Sequence, residues 1–232
     1  MAVPEPLATA YVLHTRPYRD TSLLVEFFTA SKGRLCAVAK GARRAKSPWR
    51  SLLQPFTPLL IDTVGKHELV TLRTAEPSSM QHPLTGTGLL SGIYLNELLM
   101  RLLHRYDPHE RLFQHYQQTL AQLGQDSDIA TSLRRFEWQL LQEIGYGLQL
   151  HLANQQPVQA EQHYVFDLHT GLRATELTTT INATIYRGKD LLAIEAGDFT
   201  APEVLRSAKR LMRQVFTELL GDKPLKSREL FV

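Results

Sequence analysis

The chain has 232 residues with 43% hydrophobic content and a formal net charge of +3, enough apolar material for one large domain or two small ones. No apolar run approaches the about 18 residues of a membrane span, and the N-terminus lacks the basic head and apolar body of a secretory signal. The lone cysteine, Cys36, excludes an internal disulfide and a zinc site built from several cysteines, so we expect a cytosolic protein without a membrane span.

Five short strands are predicted in the first part of the chain. The segments are residues 9–14, 21–29, 34–41, 56–63 and 68–73. Glycine and proline punctuate them, with a turn over residues 15–20 broken by Pro17 and a second turn over residues 64–67. This pattern predicts a small barrel of the oligonucleotide-binding (OB) type, although an SH3-like barrel fits nearly as well.

The pattern changes to helical spacing after Pro83. Helices are predicted at about residues 89–103, 112–123, 129–144, 189–194 and 203–220, with Ser127 or Asp128 capping the third. A small hairpin is predicted over residues 164–174. The fold class is therefore α+β in two domains: a barrel domain of the OB type over residues 1–80, and a helical domain over residues 81–232 with an irregular hairpin region at about 148–180.

One stretch, residues 31–51, concentrates positive charge, with seven basic residues and no acidic one. Residues 1–80 carry 11 Lys and Arg against 6 Asp and Glu, a balance of +5, whereas residues 81–232 carry 15 against 17, a balance of −2. Because unneutralised cations repel one another, the stretch predicts a polyanion partner. A solvated turn with basic residues for solubility is the alternative. Within the stretch, residues 35–39 are predicted as a buried strand and residues 41–51 as a mobile basic loop.

The candidate DNA-binding residues fall into two groups. The N-terminal group is Arg16, Lys32, Arg34, Lys40, Arg43, Arg44, Lys46, Trp49 and Arg50, and the C-terminal group is Lys209, Arg210, Arg213, Lys226 and Arg228. Trp49 lies between Pro48 and Arg50 and is the best candidate for stacking on unpaired bases. The alternative for the C-terminal group is an ordinary solvated helix face.

Motifs for catalysis are not found. The segment Gly86–Gly92 lacks the lysine of a phosphate-binding loop, and His104–Asp107 resembles a kinase catalytic loop only superficially. The histidines at 151, 163 and 169 have no cysteine or clustered carboxylate beside them, so no metal site and no cofactor are predicted. Cys36 lies in an apolar strand and is predicted to be a small core residue.

Eight short motifs resemble the RecO family, the bacterial recombination mediators. In the first part of the chain they are Tyr-Val-Leu-His-Thr-Arg-Pro-Tyr at 11–18, Val-Ala-Lys-Gly-Ala-Arg at 38–43, Leu-Gln-Pro-Phe-Thr-Pro-Leu at 53–59 and Leu-Arg-Thr-Ala-Glu at 72–76. In the remainder they are Ser-Gly-Ile-Tyr-Leu-Asn-Glu-Leu-Leu at 91–99, Leu-Arg-Arg-Phe-Glu at 133–137, Gly-Tyr-Gly at 145–147 and Lys-Pro-Leu-Lys-Ser-Arg-Glu-Leu at 223–230. The resemblance covers nearly the whole chain, in order.

The resemblance implies an N-terminal OB barrel and a helical domain. It implies binding of single- and double-stranded DNA, annealing of complementary strands, and no catalysis. The implied partners are RecR, the acidic C-terminal tail of the single-stranded DNA-binding protein and, indirectly, RecA. Many relatives carry a four-cysteine zinc motif after Gly-Tyr-Gly, but residues 148–161 contain no cysteine, so zinc is expected to be absent.

An acidic tail that ends in an aromatic residue needs a cation beside an apolar notch. Arg134 and Trp138 are four residues apart on the predicted third helix, and Arg135 is one step round. We therefore expect Arg134, and also Arg135, to bind the tail beside Trp138. Two solvated arginines are the alternative.

Two functions of different classes remain open on the sequence. One is a DNA-binding and annealing mediator that works with the nucleoid. The other is a protein-interaction adaptor, whose basic loop meets an acidic protein partner rather than DNA.

Overall fold

The computed structural model of the chain describes residues 7–65, 68–78, 83–125, 128–176 and 184–231. The chain forms two compact units. The first, here called the barrel unit, contains residues 1–127 and residues 225–232. The second, the helical unit, contains residues 128–224 and is therefore inserted between two parts of the first.

The barrel unit is built on a closed five-stranded barrel. The strands are β1 (Ala8–Tyr18), β2 (Ser22–Thr29), β3 (Gly33–Ala39), β4 (Pro58–Val64) and β5 (Leu69–Pro77), and a short helix α1 (Trp49–Leu52) connects β3 to β4. The strand order is β1-β2-β3-β5-β4, with β4 returning to β1. Strands β3 and β5 are parallel, and the other pairs are antiparallel. This topology confirms the predicted OB fold over the SH3-like alternative.

Successive side chains of β2 point to opposite faces of the sheet, and both faces of this strand are covered. Val25 and Phe27 point into the barrel core. Phe28 points the other way and packs on Phe113 and Tyr116, with ring centroids 5.3 and 5.9 Å away. One face of β2 therefore fills the barrel, and the other forms a second core outside it.

Two local predictions for the barrel were wrong. Strand β1 does not end before Pro17 but continues through it, with Pro17 opposite Leu23 in β2. Because β4 pairs with β1 only through Ala8–Tyr11, Pro17 lies where β1 has a single neighbour, a position that tolerates the missing N–H. The second error is α1, since a helix of four residues is too short to show periodicity.

Two helices and a terminal turn complete the barrel unit. They are α2 (Gly86–Leu102), α3 (Glu110–Gly124) and a 3-10 helix (Lys226–Phe231). Helix α2 begins three residues before the predicted start and ends within one residue of the predicted end. The aromatic contacts of Phe28 described above, together with those of Tyr11 on Phe113 and Tyr116, join α3 to the outside of the barrel.

A buried amide joins α2 and α3 to β1. The ladder between β1 and β2 is irregular between Val12 and His14, and this bulge leaves carbonyls without strand partners. Asn96 in α2 donates from Nδ2 to the Leu13 carbonyl at 3.0 Å, and Tyr116 in α3 donates its hydroxyl to Asn96 Oδ1. Burial raises the pKa of Tyr116 well above its ordinary value, so its hydroxyl remains a donor at neutral pH.

Gly33 begins β3 at a point of very close approach. Its φ is +64°, and a Cβ at this position would lie 1.9 Å from the carbonyl oxygen of Asp107 in the loop between α2 and α3. The neighbouring Arg34 carbonyl accepts a hydrogen bond from the Tyr106 N–H at 2.9 Å. Only glycine satisfies both the backbone conformation and the space.

In the part that the structure describes, the helical unit combines three helices with a small sheet. The helices are α4 (Ile129–Glu143), α5 (Gly188–Glu195) and α6 (Pro202–Leu220). The sheet has the order β10-β8-β9-β6-β7, from β6 (Leu152–Ala153), β7 (Gln156–Pro157), β8 (His163–Asp167), β9 (Gly171–Thr175) and β10 (Ile185–Arg187). The predicted hairpin, β8 and β9, is confirmed. The other three strands have two or three residues, too few for an alternating pattern to show.

The grouping of elements differs from the division predicted at residues 80 and 81. The barrel unit also includes α2, α3 and the C-terminal 3-10 helix. Phe113 in α3 packs on Tyr11 of β1, and Asn96 in α2 donates a hydrogen bond to the Leu13 carbonyl of β1. The predicted boundary marks the change from strands to helices, and residues 79–82, where it falls, lie outside the described residues. Asp128 caps α4 through the Thr131 N–H, whereas the alternative cap, Ser127, also lies outside them.

A carboxylate in α2 holds the C-terminal 3-10 helix. Glu97 accepts the Lys226 N–H at 3.0 Å through Oε1 and the Ser227 N–H at 2.8 Å through Oε2. Burial raises the pKa of Glu97, but the hydrogen bonds from Ser227 and Lys226, with the charge of Arg101, outweigh it and leave the pKa below its ordinary value.

Acid is expected to release this segment. The folded-state pKa of Glu97 is depressed. The stability that its ionised carboxylate contributes is therefore present above the ordinary pKa of about 4.3 and is lost as the pH falls through the folded-state pKa. Protection of the Lys226 and Ser227 amides against hydrogen exchange should fall as the pH is lowered through the folded-state pKa of Glu97. The variant E97Q should lose that protection already at neutral pH, and unchanged protection in E97Q would contradict the assignment.

Candidate nucleic-acid interface

The segment that follows β3, residues 40–48, is here called the basic loop. It is folded into successive turns: the Arg44 N–H donates to the Gly41 carbonyl at 3.1 Å, and the Ser47 N–H donates to the Arg44 carbonyl at 3.0 Å. Gly41 has a φ of +69°, which favours glycine at the first of these turns. The predicted loop is therefore a hydrogen-bonded one, and its basic side chains are exposed.

Arg43 fastens the basic loop to the turn between β1 and β2. Its backbone N–H donates to the Thr21 carbonyl at 2.8 Å, and its Nη1 donates to the carbonyls of Arg19 and Asp20, each at 3.3 Å. A guanidinium carries five N–H donors, so this anchoring uses only part of its capacity. Arg43 therefore both orients the loop and keeps donors for a ligand.

Strand register brings Arg16 to the same end of the barrel. Arg16 is opposite Leu24 in β2, and Leu24 is opposite Val38, near the end of β3 where the basic loop begins. The exposed candidate cations at this end are Arg16, Lys40, Arg43, Arg44, Lys46 and Arg50. Within the described residues, none of the six forms an ion pair. The result is a surface of unneutralised positive charge.

Trp49 borders a cavity beside this charge. Its side chain is half-buried and packs against the barrel core. The cavity has a volume of about 370 Å³ and is lined by Thr15, Leu23, Ala42, Arg43, Trp49, Arg50, Leu53, Gln54 and Pro55. Trp49 is thus both a packing residue and a wall of an open site. The sequence indicated Arg43, Trp49 and Arg50 but not the other walls, which come from four separate segments and are brought together only by the barrel.

Lys32 and Arg34 do not join the basic loop. They lie at the start of β3 and the loop follows its end, so seven residues at a rise of about 3.3 Å place them roughly 20 Å away. The Arg34 side chain is only 15% exposed, its Nη1 lies 3.5 Å from Glu26 Oε2, and its Nε donates to the Leu103 carbonyl at 3.1 Å. The expectation that Arg34 binds DNA is corrected, because this arginine ties β3 to the end of α2.

Cys36 is a core residue of β3. Its pKa is raised to about 11, first by burial and then by the neighbouring Glu26 carboxylate. Glu26 is itself buried and ion-paired with Arg105 and Arg34. The thiol therefore stays protonated near neutral pH and is not an activated nucleophile.

The C-terminal cations are divided between the two units. Lys209, Arg210 and Arg213 are exposed on α6 in the helical unit, whereas Lys226 and Arg228 lie on the 3-10 helix of the barrel unit. Arg210 is partly engaged, since its guanidinium lies 5.5 Å from the centre of the Tyr186 ring. The C-terminal group that the sequence suggested therefore consists of three residues in one unit and two in the other.

The expected notch on α4 is also corrected. Arg134 is buried and its Nη2 donates to Glu137 Oε1 at 2.8 Å, and Trp138 is buried on the same helix. Neither side chain is therefore available on an exposed surface. Arg135, one step round α4, is exposed. The sequence could not distinguish the two arginines because the helix phase depends on which face the rest of the unit covers.

Over the described part of the chain, no group of three or more His, Cys, Asp or Glu side chains is placed to hold a metal ion. His151 contacts Glu195 instead, with Nδ1 and Oε1 2.5 Å apart. None of the described helices is long and apolar enough to cross a membrane.

Known proteins match nearly the whole length of the chain. The family described as recombination protein O, N terminal, matches residues 4–80, and that described as recombination protein O, C terminal, matches residues 84–229. The DNA repair protein RecO of Nitrosospira multiformis is 48% identical over 223 residues, covering 95% of this chain and 92% of the relative. That of Haemophilus influenzae strain PittGG is 48% identical over 227 residues, covering 97% and 95%. That of Actinobacillus succinogenes is 46% identical over 229 residues, covering 98% and 95%.

Proposed function

The chain belongs to the RecO family of DNA repair proteins, and from this premise we propose that it binds single- and double-stranded DNA and anneals complementary strands. The observation that carries the proposal is the surface at one end of the OB barrel, where six exposed cations have no carboxylate partner among the described residues. OB barrels hold single strands in such positively charged grooves.

Annealing on this surface requires no chemical step. Two DNA strands repel each other, and basic side chains that neutralise their phosphates allow them to approach. Contacts made mainly to phosphate also leave the strand free to shift until its bases find partners. We therefore propose a non-catalytic protein that needs no cofactor, in agreement with the protonated, buried thiol of Cys36.

The partners follow from the family. We propose that the protein works with RecR, takes up the C-terminal tail of the single-stranded DNA-binding protein, and so helps to load RecA on coated strands at the nucleoid in the cytoplasm. Of the three residues expected to meet the tail, only Arg135 is exposed, and it is the one that we retain. The cations of α6 and of the C-terminal 3-10 helix remain candidates for further phosphate contacts: Lys209, Arg210, Arg213 and Lys226, which are exposed, and Arg228, which is partly buried.

A second candidate function is a protein adaptor without DNA binding. The cavity beside Trp49 favours it, because apolar walls next to Arg43 and Arg50 also suit an acidic peptide with an aromatic residue. The two functions differ in how strongly binding depends on salt, since a DNA strand releases condensed counterions and a short peptide releases few.

Salt titration of binding to an unstructured oligonucleotide tests the proposal. Six phosphate contacts at about 0.7 counterions each predict a slope of log K against log salt of about −4 for a single strand. The slope should be measured by fluorescence anisotropy between low and moderate salt. Binding that is absent at low salt, or that is insensitive to salt, would exclude the DNA function and leave the adaptor.

A further inference from the structure

We propose that the cavity beside Trp49 is a subsite for one unpaired nucleobase, so that the surface holds a base as well as phosphates. This inference rests on the proposed DNA binding and specifies the form of DNA that the barrel end selects. The cavity lies wholly within the barrel unit, between the end of β1, the start of β2, the basic loop and the segment that follows α1.

The walls of the cavity are those that a base requires. Trp49 supplies an aromatic surface, and Leu23, Leu53 and Pro55 supply aliphatic ones. Aromatic side chains stack on every base, since every base has a π face. Trp49 is also held in place by its packing on the barrel core, so little side-chain freedom is lost when a base arrives.

The polar groups of the cavity match the phosphates and the base of a nucleotide. Arg43 and Arg50 carry the positive charge for the flanking phosphates, and no carboxylate lines the cavity. Thr15 and Gln54 bring a hydroxyl and a carboxamide to the same walls. The Gln54 Nε2 donates to the Arg50 carbonyl at 2.7 Å, which orients the amide, and among the described residues no donor reaches its Oε1. The hydroxyl and the carboxamide can form hydrogen bonds with the Watson–Crick edge of an unpaired base.

Pairing and stacking keep the bases of a duplex out of the cavity. At about 370 Å³ the cavity is near the lower end of the range for small-molecule sites, about 300–1,000 Å³. A base inside a duplex is stacked on both faces and paired at its edge, so it reaches the cavity only after leaving the helix. The subsite therefore favours single strands, whereas the exposed cations attract single and double strands alike.

Comparison of an oligothymidylate with an abasic oligomer of equal length tests this directly on the wild-type protein. Both carry the same phosphates, so both should show the same salt slope, but the abasic strand should bind about 10-fold more weakly, the loss expected for one base–aromatic stack. The chain has two tryptophans, and Trp138 is buried in the helical unit, so quenching of Trp49 fluorescence should accompany the oligothymidylate alone.

Variants assign the effect to the cavity. W49F should abolish the quenching while keeping most of the affinity, and Q54A, at an exposed position, should weaken the oligothymidylate but not the abasic strand. Equal affinity for the two strands, without quenching, would overturn the subsite and leave the DNA function standing. No binding of either strand would overturn both. Quenching by an acidic peptide that ends in phenylalanine, and not by the oligothymidylate, would overturn the subsite in favour of a protein ligand.

Discussion

The triple variant R43A/R44A/K46A is expected to bind single-stranded DNA about 100-fold more weakly than the wild type at about 0.1 M salt. Three lost phosphate contacts reduce the slope of log K against log salt by roughly two, and salt at about 0.1 M is tenfold below about 1 M, where the electrostatic contribution vanishes. The slope itself should become shallower by about two. All three residues are exposed and lie outside the barrel core, so the fold should survive. Anisotropy titrations at several salt concentrations measure both quantities.

A matched control removes the same charge elsewhere. R111A/R173A/R187A takes three exposed arginines from α3, β9 and β10, none of them in the candidate interface, and should change the affinity only slightly. Binding of an acidic tail peptide should be unaffected by the first triple variant and reduced by R135A. An equal loss of DNA binding in both triple variants would show that net charge, rather than the basic loop, determines affinity.

The variant G33A is expected to lose about 3–5 kcal/mol of unfolding free energy, combining backbone strain with a steric overlap in a packed region. The added methyl group would lie 1.9 Å from the Asp107 carbonyl oxygen, at a φ of +64°. Relief of the overlap would have to move the loop between α2 and α3, and with it the Arg34 carbonyl contact to Tyr106. Since whole domains are stable by only about 5–15 kcal/mol, chemical denaturation should reveal the change clearly.

Gly86 provides the comparison for G33A within the same unit. Its φ is +49°, but a Cβ there would meet nothing within 4 Å. G86A should therefore show only the cost of the backbone conformation, about 1 kcal/mol. If the two variants were equally destabilised, the close approach to Asp107 would not be the cause.

Much of the barrel could be predicted because its strands alternate or run continuously with glycines between them. The prediction failed at Pro17 and at α1, where the outcome depends on which neighbour a strand has and on a helix of one turn. The pairing that closes the barrel, β1 with β4, joins segments about 50 residues apart and was inferred from the fold type rather than from any local pattern.

The candidate site was predicted unevenly, for a physical reason. The exposed cations of the basic loop were found because their charge is uncompensated in the sequence itself. Arg34 and Arg134 look the same in the sequence, but each meets a carboxylate, Glu26 or Glu137, and has become part of the interior. The cavity could not be foreseen, because Thr15, Leu23 and Pro55 acquire a common role only when the barrel closes.

The return of residues 225–232 to the barrel unit has a consequence for the order of synthesis. A ribosome releases the OB strands and α2 first, then all of the helical unit, and only afterwards the segment whose Lys226 and Ser227 amides dock on Glu97. The first unit to emerge is therefore the last to be completed. Until then, the nascent chain exposes the Glu97 side of α2, and translation of residues 128–224 sets the minimum delay before that surface is covered.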